Sequence, residues 1–145
     1  MTASSPDSKP VPDLAGLERR ERDKVAVSAA ELAAVRDRAL AAARAALSVK
    51  AEDVKLLDMH ELVSYTDFLV LCTGRNTRLT RRIAEEVAHQ VKVAAGLLPA
   101  GTEGSGGEWV LLDFLDFVVH VFTPKAREFY RLDVLWKQAP MEPVE

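Results

Sequence analysis

The run Glu108-Trp109-Val110-Leu111-Leu112-Asp113-Phe114-Leu115-Asp116-Phe117-Val118-Val119-His120-Val121-Phe122 reads as two β-strands and a turn. Alternation along a strand sends Trp109, Leu111 and Asp113 to one side and Val110, Leu112 and Phe114 to the other. In the second strand Asp116, Val118, His120 and Phe122 share a side, opposite Phe117, Val119 and Val121. One face is therefore wholly apolar, and the other mixes aromatic groups, two carboxylates and a histidine. Buried strand faces rarely carry two carboxylates, and solvated ones rarely carry Trp. The mixture predicts a docking surface, left free on a sheet whose other face is covered by helices.

Charge sharpens this reading. The net charge of -3 divides unevenly: residues 1–50 carry nine Lys and Arg against seven Asp and Glu, and residues 51–145 carry ten against fifteen. Between Ala100 and Pro124 stand Glu103, Glu108, Asp113 and Asp116 with no Lys or Arg. An acidic face disfavours gripping phosphate backbones, so direct DNA binding is not expected; it suits a basic protein partner. No apolar run approaches the 18 or so residues of a membrane span, and Met1 to Pro12 lacks the apolar core of a secretory signal. With Cys72 as the single cysteine, no internal disulfide forms, in keeping with a reducing, cytoplasmic compartment.

The rest of the chain supplies the sheet and its helices. Residues 1–27, rich in Ser, Pro and charge, are expected to be a disordered tail, partly helical near Leu14 to Leu17. Ser28-Ala29-Ala30-Glu31 is a capping box, and Leu32, Val35, Ala39, Leu40, Ala43 and Leu47 follow at helical spacing. Asp53 to Asp58 predicts a short strand. A stronger one, from Tyr65 or Asp67 to Thr73, centres on Phe68-Leu69-Val70-Leu71, whose unbroken apolarity marks a strand covered on both faces. Asn76 or Thr77 caps a helix to Ala95, with Leu79, Ile83, Val87 and Val91 as its stripe and Gly96 past its end. Leu97 to Gly107 predicts a short edge strand and a loop. After the hairpin, Thr123-Pro124 opens a last helix with Phe129, Leu132, Leu135 and Trp136 as its stripe; Pro140 ends it and residues 141–145 fray. The expectation is an α/β domain over 28–140, a mixed β-sheet packed with helices in the order α-β-β-α-β-β-β-α.

Several chemical sites can be weighed. His60-Glu61 lacks the second histidine of a zinc-protease motif, since position 64 is Ser, and His60, His89, His120 and Cys72 have no ligand spacing. Gly101, Gly104, Gly106 and Gly107 lead into a strand rather than a helix, so they form no phosphate cradle. Thr73-Gly74-Arg75-Asn76, at a strand-to-helix turn with Arg78, Arg81 and Arg82 nearby, is a better candidate for holding a phosphate. A nucleotidyltransferase would add paired carboxylates for magnesium, but Asp113 and Asp116 are three apart across a turn and Asp67 has no evident partner. Neither a metal nor a cofactor is expected. Cys72 reads as a packed thiol.

Read in order, Leu62-Val63-Ser64-Tyr65-Thr66-Asp67-Phe68-Leu69-Val70, Thr73-Gly74, Glu108 to Phe114, Val119-His120-Val121-Phe122 and Ala126-Arg127-Glu128-Phe129-Tyr130-Arg131-Leu132-Asp133-Val134-Leu135-Trp136 resemble the ribosomal silencing factors, or Iojap family. The match runs from about Ser28 to Pro140. The resemblance implies a nucleotidyltransferase-like fold without known catalysis. It further implies binding to the large ribosomal subunit at the basic interface protein numbered fourteen, which keeps the small subunit from joining and represses translation. Organelle members assist large-subunit assembly, and the family can self-associate, so a homodimer is an open alternative.

Carried onto this chain, the resemblance puts the partner contact on Trp109, Leu111, Asp113, Phe114, Asp116 and His120, with Trp109 as apolar anchor and the two aspartates pairing with Lys or Arg. Asp67, Arg127, Glu128 and Tyr130 fall in matching blocks, in a role either partner-binding or structural. The chain departs from the family at Leu115, where Gly is usual. A two-residue turn needing positive φ strains Leu, so the turn is expected to be longer or of another type. An enzyme built on Gly74, Asp67 and Asp113, and a large-subunit assembly factor, are the competing readings.

Overall fold

A computed structural model describes residues 12–20, 28–104 and 106–145. The expected disorder of residues 1–11 and 21–27 lies outside them. The elements run α1 (Leu14–Glu18), α2 (Ala29–Ser48), β1 (Glu52–Asp58), β2 (Phe68–Thr73), α3 (Thr77–Ala95), β3 (Gly101–Glu103), β4 (Trp109–Asp113), β5 (Phe117–Phe122), α4 (Pro124–Tyr130), α5 (Leu132–Leu135) and β6 (Met141–Pro143).

Local chemistry sets most of these bounds. Ser28 accepts from the Glu31 amide while the Glu31 carboxylate accepts from the Ser28 amide, closing the capping box of α2. The Asn76 side chain accepts from the Leu79 amide to start α3, and Gly96, at φ 69°, ends it in the left-handed conformation that glycine takes without a Cβ clash. Thr123 caps α4 with Pro124 at its first position.

The six strands lie in the order β3-β4-β5-β2-β1-β6. β2 and β5 run parallel, while β4 pairs antiparallel with β5, and β1 with β2. The crossover from β2 to β5 carries α3. One face of the sheet packs under α2 and α3. α2 brings Ala39, Ala42, Ala43 and Ala46, all fully buried, and α3 brings Ile83, Val87 and Val91. The small alanines let the α2 backbone lie close to the sheet and α3, so the helix depends on that packing more than on its own buried area.

The other face differs from the expectation. No part of it among the described residues is left as a free apolar-and-acidic plateau. Leu57, Leu69, Leu71, Trp109, Leu111, Val118 and Phe122 form a second core, capped by Ala126, Leu132 and Ala139 and by Leu14, Leu17, Val63 and Trp136. The cover is built from short pieces: α1, the 59–66 connection, and α4 and α5, into which the expected last helix is split.

Three further differences concern the ends. The last helix breaks at Arg131, whose φ of 49° is left-handed. The expected stripe is thereby split: Leu132 is buried, but Phe129 is 77% exposed and Leu135 60%. The C-terminus does not fray. Lys55, Leu56 and Leu57 pair with Pro143, Glu142 and Met141, and the Val144 amide donates to the Val54 carbonyl at 2.8 Å. A proline is tolerated here because β6 is an edge strand. At the other end, α1 is ordered over the predicted helical turn, within the stretch assigned to the tail.

Candidate functional site

The hairpin register sets Trp109 opposite Phe122, Leu111 opposite His120 and Asp113 opposite Val118, so the mixed face is assembled as alternation predicts. What alternation does not reveal is its depth. Trp109 is 2% exposed and His120 1%. The Trp109 indole Nε1 donates to His120 Nδ1 at 2.9 Å. Its ring lies 4.9 Å from Phe122 and 4.7 Å from Tyr130, which roofs it from α4. Trp109 is thus a core residue and not a surface anchor, and Leu111 and His120 are buried with it. Burial first, and then the nearby Arg127 guanidinium, hold the His120 imidazole down to a pKa of about 3. It is neutral, as an Nδ1 acceptor must be.

Phe114 obeys the alternation and enters the opposite core, its ring stacked 4.8 Å from Phe117. It too is buried, and not part of an exposed contact. Leu115 sits at φ 72° and is 45% exposed. The Phe114 amide donates to the Phe117 carbonyl and the Asp116 amide to the Phe114 carbonyl. The tight turn is therefore kept, with Leu in the conformation that favours glycine.

Around this turn lies an arginine seat. Arg20 Nη1 reaches Asp113 Oδ2 at 2.5 Å. Its Nη2 donates to the Tyr65 carbonyl at 2.8 Å and the Leu115 carbonyl at 3.3 Å. The second Asp113 oxygen accepts from the Leu115 amide at 2.8 Å, so one carboxylate both fixes the turn and takes the guanidinium. Asp116 follows Leu115 in the turn, half-buried, its carbonyl accepting from the amides of Asp67 and Phe68. Glu103, exposed on β3, accepts from the Asp13 amide at 2.8 Å. Burial and then Glu18 raise the Tyr65 hydroxyl to about 12. Sequence reasoning missed Arg20 and Tyr65, and counted Glu103 only as one of the acids of the 100–124 stretch. Arg20 sits in a mixed-charge run that carries no positional signal.

The C-terminal block has a structural role in the fold. Arg127 is buried and forks onto Asp133, with Nε to Oδ1 and Nη2 to Oδ2 both at 2.9 Å. Its Nη1 donates to the Asp53 carbonyl at 3.0 Å and to Thr73 Oγ1 at 2.9 Å. Arg127 thereby joins α4 and α5 to β2 and to the bulge that opens β1. Hydrogen bonding to Arg127, outweighing partial burial, lowers Asp133 to about 2. Tyr130 covers Trp109, and Glu128 is exposed.

The residues proposed for phosphate or magnesium chemistry do not converge. A Cβ on Gly74 would meet Ile83 Cδ1 and Thr80 Cγ2 at 3.0 Å, so this turn is packed against α3 and not opened around an anion. Asp113 faces a guanidinium. Asp67 is buried at the mouth of β2, and no cluster of three His, Cys, Asp or Glu among the described residues is placed to hold a metal. Cys72 is a buried thiol 3.7 Å from the His120 carbonyl, pushed up to about 12 by burial. No described helix is long and apolar enough to cross a membrane.

Residues 32–145 match the family model described as ribosomal silencing factor during starvation. The chain is 36% identical over 101 residues to the ribosomal silencing factor of Bacillus subtilis, covering 69% of this chain and 85% of that protein. Against the ribosomal silencing factor of Chromobacterium violaceum it is 37% identical over 89 residues, 61% of this chain and 72% of the relative. A crystal structure of a Chromobacterium violaceum protein superimposes with a TM-score of 0.68 at 34% identity, covering 71% of this chain and 86% of that one. One from Bacillus halodurans gives 0.63 at 32%, covering 74% and 97%.

Proposed function

Because this chain belongs to the ribosomal silencing factor family, a regulatory and not an enzymatic class, we propose that it binds the large ribosomal subunit at the basic interface protein numbered fourteen and sterically blocks joining of the small subunit. Translation falls as a result, and the action is cytoplasmic. The docking element in this reading is the β3–β4–β5 edge with the turn at Leu115.

The observation that carries the reading is the arginine seat. Asp113 Oδ2 and the carbonyls of Tyr65 and Leu115 converge on one guanidinium, Glu103 lines the same groove, and Asp116 adds a further negative charge within the turn. A planar cation with several N–H donors fits such a set of oxygens, and a basic partner supplies it. Asp113 and Asp116 make the charged contacts and Leu115 the apolar one. Trp109, Leu111, Phe114 and His120 act from beneath, holding the hairpin that presents them. One central cluster of this kind, in an interface of roughly 800 Å² per partner, supports micromolar to nanomolar affinity, on the order of 8–12 kcal/mol.

The test is sedimentation of the protein with purified large and small subunits, with Mg²⁺ raised to promote joining. Co-migration with the large subunit and a smaller joined peak are expected, and both weaken when Asp113 and Asp116 are changed to Lys. Absence of co-migration overturns the reading.

A further inference from the structure

The seat described above is already filled, and by a segment outside the family match. Residues 32–145 carry the match, whereas Arg20 and α1 precede it. α1 has five residues, too few to hold a helix by itself. It persists because Leu14 and Leu17, one turn apart, lie on the Trp109–Leu111 core, because the Asp13 amide is tied to Glu103, and because Arg20 occupies the three oxygens.

We propose that residues 13–20 are an internal stand-in for the partner: a short amphipathic helix followed by an arginine, docked on the surface that takes an arginine-bearing segment of a basic protein. Docking of α1 and docking of the partner then exclude each other. The inference rests on the proposed function and adds its regulation.

Two observations favour a displaceable strap over a permanent part of the core. α1 brings no fully buried side chain, Leu14 and Leu17 being half-buried, whereas α2 and α3 each bury several on the other face. Arg20 Nε is buried without a hydrogen-bond partner, so the seat satisfies this arginine incompletely. An arginine approaching from outside is free to use the same oxygens at a better angle. Only seven residues separate Arg20 from Ser28, so the released strap stays close and competes at high local concentration. The apparent affinity for the partner is reduced by the fraction of molecules in which the strap is docked.

The test compares the unaltered chain with the double variant Leu17→Asp, Arg20→Glu and the milder Arg20→Ala, each titrated against purified large ribosomal subunits. The double variant is expected to bind at least about threefold more tightly, and Arg20→Ala to shift in the same direction, with far-ultraviolet dichroism changed by no more than the loss of the five-residue α1. Tighter binding by the variants, or binding by the variants alone, supports the strap. If the unaltered chain binds and the variants bind equally or more weakly, the strap is overturned and the proposed function stands. If none of the three binds, the proposed function fails and the strap with it.

Discussion

The indole of Trp109 donates to the imidazole of His120 inside the second core, 2.9 Å from nitrogen to nitrogen. This bond joins adjacent strands, β4 and β5, across the face that the sequence pattern suggested was open. Trp109→Ala should therefore act on folding. A cost of roughly 3–5 kcal/mol is expected from the emptied volume, and Trp109→Phe should cost about 1–3 kcal/mol by leaving His120 Nδ1 unpaired. Urea denaturation checks both. An unchanged midpoint for Trp109→Ala would show that the ring is not packed as described.

Acid should loosen the protein through the same histidine. His120 is neutral when folded, with a pKa of about 3 against an ordinary 6.5. The unfolded chain takes up that proton first, so the stability due to the neutral ring is fully present above pH 6.5 and is lost as pH falls from there towards 3. The slope approaches about 1.4 kcal/mol per pH unit within that window. Asp133, lowered to about 2 from 3.8, adds its own loss below about pH 4. Unfolding free energy measured against pH should show the upper window flatten in His120→Gln while the lower one remains.

Arg127 and Asp133 should behave as one unit. Asp133→Ala strips the buried Arg127 of its fork and is expected to cost roughly 3–5 kcal/mol, whereas Arg127→Met leaves Asp133 partly exposed beside Lys55 and should cost less. The double variant should cost less than the sum, with a coupling of at least ~1 kcal/mol in a denaturation cycle. Additive losses would mean that the fork does not tie α4 and α5 to the sheet.

Leu115 offers a change in the opposite direction. At φ 72° it occupies a conformation disfavoured for a side chain with a Cβ. Leu115→Gly should relieve that strain and raise stability by up to about 1 kcal/mol, after the added freedom of glycine in the unfolded chain is counted. Calorimetry would show the melting temperature rising by a few degrees. A lower melting temperature would mean that the packing of the leucine outweighs its backbone strain.

These cases mark what was legible in the sequence. The capping box at Ser28, the glycine at 96, the apolar β2 and the two-sided hairpin were all readable, because each depends on residues close together in the chain. The covering of the second face was not. It depends on α1, too short to show a period, and on an α4–α5 break made by Arg131, a residue without the usual mark of a left-handed position. The same break lets Arg127 fork onto Asp133 six residues later, a spacing that one continuous helix would not bring together. Of the residues expected on an exposed face, Asp113 and Asp116 stay partly exposed at the turn, whereas Trp109, Leu111, Phe114 and His120 are buried. At Leu115 the turn stays short with positive φ, but the bond from the Asp116 amide to the Phe114 carbonyl makes it a three-residue turn, of another type than the usual two-residue hairpin loop.

The pairing of β6 with β1 has a practical side. The strand order puts β6 four places from β4, a lateral offset of roughly 19 Å at ordinary strand spacing. A dye, purification handle or fused reporter placed after Glu145 hangs from that far border of the sheet, away from the Leu115 turn. The same cargo joined directly before α1 would sit beside the segment that docks on the arginine seat. The two ends are thus not equivalent places to attach a probe, and a carboxy-terminal one leaves the arginine seat as nature has it.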